Sequence, residues 1–108
     1  MSLYKEYLEE IEGAEVLELE DGFIAYSFKD FECFIHEVYV RKSARQTNCF
    51  RTLGDVVLNM AKERNCSAIK CEVWTDNKNP TLSLKAVLSF GFKVAKATEN
   101  RIHLVKEL

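Results

Sequence analysis

Proline occurs once in the 108 residues and glycine only four times. That is too little for a Pro/Gly/Ser linker, a collagenous chain or a low-complexity tract. No apolar run approaches the roughly 20 residues of a membrane span or the length of a signal-peptide core. Histidine is scarce, with two residues, and the four cysteines (Cys33, Cys49, Cys66, Cys71) contain no C-x-x-C pair. The spacing and the lack of a nearby His pair set metal binding aside. A disulfide framework is not needed either. At 47% apolar residues, a chain of this length buries enough surface to fold without staples. The expectation is one soluble domain over residues 1–108, with reduced thiols, in the cytoplasm.

A large excess of either charge is also missing: 15 basic and 17 acidic residues leave a net of −2. That disfavours nucleic-acid binding as the main activity, as does the lack of an aromatic stacking platform. The near-neutral total hides an asymmetry. Residues 1–21 hold eight acids against Lys5, whereas Arg41, Lys42, Arg45 and Arg51 fall in an eleven-residue stretch without an acid. Such a concentrated basic loop suits a local anion site, although a solvated loop has the same composition.

Helical spacing of Leu3, Tyr7, Leu8 and Ile11 predicts a helix over 2–12, stopped at Gly13. Strands are expected over 16–19 and 23–28, joined by a turn in which Gly22 supplies a positive φ. A third strand runs over 31–40. Leu53, Val56, Val57, Met60 and Ala61 form the clearest amphipathic stripe, a helix over 53–64 with Asn65 as its stop. A buried-type strand follows over 68–74, and Asn79-Pro80 opens a second such helix that ends at Gly91. Strands over 94–97 and 102–105 close the chain as a hairpin across 98–100. Strands interleaved with helices imply an α/β chain whose α+β mixed sheet is covered by helices.

Strand, basic loop and helix meet between Val40 and Val57. This order aims backbone N–H groups and the positive end of a helix dipole at whatever lies beside the loop. It is neither a dinucleotide fingerprint nor a P-loop. The run Val38-Tyr39-Val40-Arg41-Lys42-Ser43-Ala44-Arg45, followed by an amphipathic helix, resembles the acyl-CoA-binding segment of the GCN5-related N-acetyltransferases (GNAT). Downstream, Cys71-Glu72-Val73-Trp74, the loop Asp76-Asn77-Lys78-Asn79 and a helix closing in Phe90-Gly91-Phe92 resemble the last block of that family. The likeness covers about residues 35–108.

The resemblance implies the acyl-CoA N-acyltransferase fold, acetyl-CoA as cosubstrate, and direct acyl transfer to an amine. The amine belongs to a small molecule or to a protein. It further implies that the strand before the loop splays near Val38, whose backbone N–H serves as oxyanion donor. Val40 then contacts the pantetheine arm, and Arg45, Gln46, Thr47, Asn48, Cys49, Phe50, Arg51 and Asn79 form the rest of the cofactor site. Two positions depart from the pattern. Asn48 and Phe50 replace the glycines of the family's Arg/Gln-x-x-Gly-x-Gly/Ala loop. Asn can take the left-handed backbone of a glycine, whereas a benzyl group either turns into the core or fills the cradle. Val87 stands where the family often has a Tyr that protonates the thiolate, and Ser83, one turn earlier, is a poor replacement.

Glu37 is the candidate base. Strand alternation puts it on the Tyr39 face and groups His36 with Val38; a cross-strand pairing with Lys70 is its structural alternative. His36 is expected to be a satisfied, partly buried histidine and His103 a sheet-surface residue. Cys49 stands near a helix N-terminus, which would lower its pKa. Acids on the first helix would favour a cationic amine. A protein acceptor, or a groove completed by a second copy in a homodimer, suits so short a chain. The alternative to an active transferase is a degenerate relative of that fold, serving as a binding or structural module.

Overall fold

The structure is a computed structural model that describes residues 3–11, 13–45, 48–74 and 84–108. Its elements are α1 (Leu3–Ile11), β1 (Glu15–Leu19), β2 (Gly22–Lys29), β3 (Glu32–Val40), a 3-10 turn (Lys42–Ala44), α2 (Cys49–Glu63), β4 (Ala68–Trp74), α3 (Leu84–Ser89), β5 (Lys93–Ala97) and β6 (Arg101–Glu107). The six strands form one sheet in the order β1-β2-β3-β4-β6-β5. Every adjacent pair is antiparallel except β3 and β4, which are parallel and connected through α2. A parallel neighbour needs a crossover, and the amphipathic α2 supplies it.

The core lies between α2 and one face of the sheet. Leu53, Val57 and Ala61 of α2 meet Ile24, Cys33, Val38, Val40, Ile69, Cys71, Val73 and Leu104, and all of them are buried. Within β4 the core residues Ile69, Cys71 and Val73 fall at alternate positions, as one covered face of a pleated sheet requires. α1 packs by β1, and its Tyr4 ring meets Phe23, which alternates with core-facing Ile24. α1 therefore serves the opposite face, where Ala14, Ala25 and Val16 make a small second cluster.

Asn65 closes α2 with φ +60, the left-handed stop expected of it. The first hairpin turns differently from expectation. Its loop residues are Glu20 and Asp21, and Gly22 is the first residue of β2, outside the positive-φ glycines Gly13 and Gly91. Gly22 is there because β3 passes so close that a Cβ would sit 2.5 Å from the Tyr39 carbonyl oxygen. α2 also begins earlier than the apolar stripe suggests, at Cys49 rather than Leu53. The first turn of a helix needs no apolar stripe of its own, so the stripe marks only where burial begins.

Candidate active site

The site lies where β3 and β4 separate. Their parallel register runs from Glu32↔Ala68 to Ile35↔Cys71, yet β3 continues to Val40 and β4 to Trp74. Beyond Ile35 and Cys71 the strands diverge. At the same level β3 carries a bulge against β2: Ala25 pairs with Glu37 and Tyr26 with Ile35, leaving His36 as the additional residue. A bulge kinks its strand and raises the local twist, which accounts for the divergence.

The bulge resets the alternation of β3. Cys33 and Ile35 face the core, and so do Val38 and Val40, an impossible set for a regular strand. His36 is therefore not on the Val38 side, contrary to expectation. It is exposed rather than partly buried; its Nε2 lies 2.7 Å from the Ser27 Oγ, and Ser27 alternates with core-facing Tyr26 and Phe28. Glu37 also turns to the outer face, where its carboxylate accepts a hydrogen bond from the Tyr4 hydroxyl of α1. Lys70 does not pair with Glu37; it bridges to Glu32 at 2.7 Å. His103 lies at the sheet surface, 3.5 Å from Glu72, which also holds Arg101 at 3.0 Å.

On the core side the divergence is floored by a small apolar cavity of about 20 Å³, lined by Val38, Phe50, Gly54, Cys71, Val87 and Phe90 among others. That is room for about one water-sized group. Phe50 packs on the core, its ring edge-on to Phe90 with centroids 6.3 Å apart. Of the two outcomes open to a benzyl group here, it turns inward. Val87 is only 2% exposed and closes the inner wall with an apolar surface.

The basic loop leaves β3 through the 3-10 turn, pinned by buried Ala44. The Arg45 Nε donates to the Val40 carbonyl at 3.0 Å, and its guanidinium lies 6.0 Å from the Tyr39 ring centroid. Arg41 reaches the Glu20 carbonyl at 3.3 Å, and the Arg51 guanidinium stands 5.7 Å from the Phe90 ring centroid. Asn48 accepts the first helical bond from the Thr52 N–H at 2.8 Å. Its φ of −83 is not the left-handed conformation expected of a glycine replacement. The loop thus solves its path with ordinary backbone angles at this position. Asn48, Cys49, Phe50 and Arg51 form the start of α2, with Phe50 beside Val38, whereas Arg45 stays against the Val40 carbonyl and the Tyr39 ring. Gln46, Thr47, Asn79 and Ser83 lie outside the described residues.

Cys49 is not an activated thiol. It is half-buried, and burial together with the nearby Asp21 carboxylate raises its pKa. Both act against the lowering expected of a thiol near a helix N-terminus. Burial likewise pushes Cys33 and Cys71 up to about 12. Among the described residues no group of three or more His, Cys, Asp and Glu side chains could hold a metal. None of the helices there is long and apolar enough to cross a membrane.

Sequence reasoning missed the Tyr4–Glu37 contact and the bulge. The contact joins residues 33 apart in sequence, and a bulge leaves the apolar pattern of β3 readable either way. The one available signal was the placement of Phe23 and Tyr39 off the core-facing positions, where large aromatics need another partner.

No protein-family model and no curated protein matches the chain. Solved structures do. The chain superposes on the ribosomal-protein-S18-alanine N-acetyltransferase of Escherichia coli with a TM-score of 0.74 and 14% identity, covering 99% of this chain and 77% of that one. For the PaiA N-acetyltransferase of Thermoplasma acidophilum in complex with coenzyme A, the TM-score is 0.73 at 16% identity over 82% of this chain. There the match spans only 54% of the other chain. A Bacillus subtilis acetyltransferase in complex with CoA gives 0.72 at 14% identity, over 96% and 84% of the two chains. The fold is that of the GCN5-related N-acetyltransferases, a mixed α+β sheet of the kind the resemblance implied.

Proposed function

We propose that this protein is an acyl-CoA-dependent N-acetyltransferase that transfers an acyl group directly to an amine. The observation that carries this reading is the divergence of β3 from β4 at a bulge, next to a basic helix N-terminus. The Arg41 N–H donates to the Asp21 carbonyl at 2.6 Å, so Arg41 points its amide toward the β2 side. Amides alternate along a strand. The Tyr39 N–H then faces β2, while those of Val38 and Val40 face the divergence. A donor there is oriented before substrate arrives, which is the requirement of an oxyanion hole.

The residues present fit acetyl-CoA. Because Phe50 is turned inward, its ring does not stand over the loop. The 15-residue α2 offers its positive end, with Arg51 and the backbone of Asn48, Cys49 and Phe50 in its first turn and Arg45 in the loop ahead of it. These groups would hold the pyrophosphate, with Val40 along the pantetheine arm. Bound acetyl-CoA supplies the activated acyl group. Glu37 receives the proton of the attacking amine, the N–C bond forms as the C–S bond breaks, and the electron pair departs on sulfur. The Val38 N–H steadies the carbonyl oxygen. Val87 donates nothing, so the thiolate leaves unprotonated or takes a proton from water, a slower but open route.

Buried Val87 favours one alternative, a degenerate member that binds without turnover. Thermal unfolding with acetyl-CoA, CoA and ADP tests the cofactor site. At a hundred times the dissociation constant a ligand adds about 2.7 kcal/mol, several degrees for a domain of this size. No shift at millimolar acetyl-CoA overturns the reading. A shift without acetyl transfer to any amine in a broad panel supports the degenerate one.

A further inference from the structure

Four aromatic rings line the outer face beside Glu37, and the acyl-transfer reading uses none of them. Tyr7 and Tyr4 of α1 stack at 6.4 Å between centroids, Tyr4 meets Phe23 of β2 at 6.0 Å, and Phe23 stacks on Tyr39 of β3 at 6.0 Å. Large aromatics ordinarily hide such surface, yet Tyr4, Tyr7 and Tyr39 are 44%, 54% and 43% exposed. A contiguous exposed apolar strip of this kind marks an interaction site. The Tyr4 hydroxyl ties the strip to the Glu37 carboxylate. One ring already carries a cation, the Arg45 guanidinium over Tyr39 at 6.0 Å. The exposed acids Glu6, Glu9 and Glu10 of α1 add negative potential around it.

We propose that this strip binds the acceptor, and that the acceptor is the amino-terminal end of an extended peptide with apolar side chains at alternate positions. The inference rests on the acyl-transfer reading for the role of Glu37. Rings spaced 6.0 to 6.4 Å apart come close to the same-face repeat of an extended chain, roughly 6.6 to 6.8 Å. With the α-ammonium at Glu37, side chains one and three fall on successive rings. The carboxylate, the ring faces and the acids of α1 all attract that charge. A small amine is ordinarily held in a concave pocket that covers most of its surface. An open strip instead gains contact through the length of its ligand.

The test is calorimetric titration of the full chain, in the presence of CoA, with a hexapeptide carrying Phe at positions one and three. The same peptide with Ser at both positions and phenethylamine serve as comparisons. The Phe peptide is expected to bind about tenfold tighter than either, as two aromatic contacts imply. Tyr4→Ala and Tyr7→Ala, which remove the successive rings beside Glu37, should each remove about threefold of that preference, and Tyr7→Ala should leave the thermal shift produced by CoA unchanged. Equal binding of the Phe and Ser peptides, phenethylamine binding as tightly as the peptide, or a preference that survives both substitutions overturns the proposal. Mass spectrometry of the same peptides with acetyl-CoA separates the two readings. Acetylation without any Phe preference keeps the transferase and discards the strip. A Phe preference lost in the variants, without acetylation of any amine, keeps the strip as a peptide site and discards the transferase.

Discussion

Glu37 owes its place to two other residues, the bulged His36 that turns it outward and the Tyr4 that holds it. A general base contributes roughly 10² to 10⁴ in rate. Glu37→Gln is therefore expected to lower amine acetylation at least about a hundredfold while the thermal shift with acetyl-CoA persists; an unchanged rate constant would remove Glu37 as base. Gly22 matters for a different reason. A Cβ there would meet the Tyr39 carbonyl oxygen at 2.5 Å and the Cys49 Sγ at 3.3 Å, and the first of these is backbone that cannot step aside. Gly22→Ala should cost about 1–3 kcal/mol by overpacking, read as a lower unfolding midpoint. None of this was visible in the local sequence, because the contact partners of Gly22 and Glu37 come from strands and a helix distant along the chain.

At the scale of elements, the β2–β3 hairpin turns at Asp30 and Phe31 with φ values of +53 and +65. A two-residue loop with both φ positive matches the twist of its strands but suits Asn-Gly, not a bulky side chain. Phe31 is 72% exposed, so its ring contributes little packing. Phe31→Gly should raise stability by about 1 kcal/mol, a rise of several degrees in the unfolding midpoint. The inner wall of the site behaves in the opposite way. Val87 borders a cavity of about 20 Å³, too small for a phenol ring. Val87→Tyr is expected to destabilise by about 1–3 kcal/mol instead of restoring an acid at the thiolate, and recovered turnover with an unchanged midpoint would contradict this. The helices and strands themselves were legible from spacing, since α2 and the alternating strands bury one stripe or face each. A mixed sheet followed from the helices between the strands, though not which pair would be parallel. The bulge did not, because one extra residue leaves the apolar composition of a strand unchanged.

For the molecule as a whole, pH dependence on the alkaline side falls to the buried thiols. Among the described residues the core holds no charged side chain, and burial raises Cys33 and Cys71 from the ordinary 9.0 to about 12. Burial also raises Tyr26. A folded-state pKa above the unfolded one stabilises the protein while the unfolded thiol is still protonated. That stability is complete below about pH 9 and is lost between pH 9 and 12, as unfolded thiols ionise before folded ones. Denaturant unfolding across this range should show a steady fall. At pH 8, alkylation of Cys33 and Cys71 should proceed only as fast as the chain opens, and prompt labelling of both in the native state would show that they are not buried.

The sequence by itself determined the order of helices and strands, the apolar stripe that α2 buries and the position of the basic loop ahead of α2. Those depend on the spacing of apolar residues and on charge, which are properties of neighbours along the chain. Only the tertiary structure decided that β3 parts from β4 beyond Ile35 and Cys71, that Phe50 turns inward, and that Glu37 meets Tyr4 beside a row of open rings. Each of these is set by a register or a packing choice between distant segments. Register is fixed by the combined burial of whole strands, and no local stretch of residues encodes it.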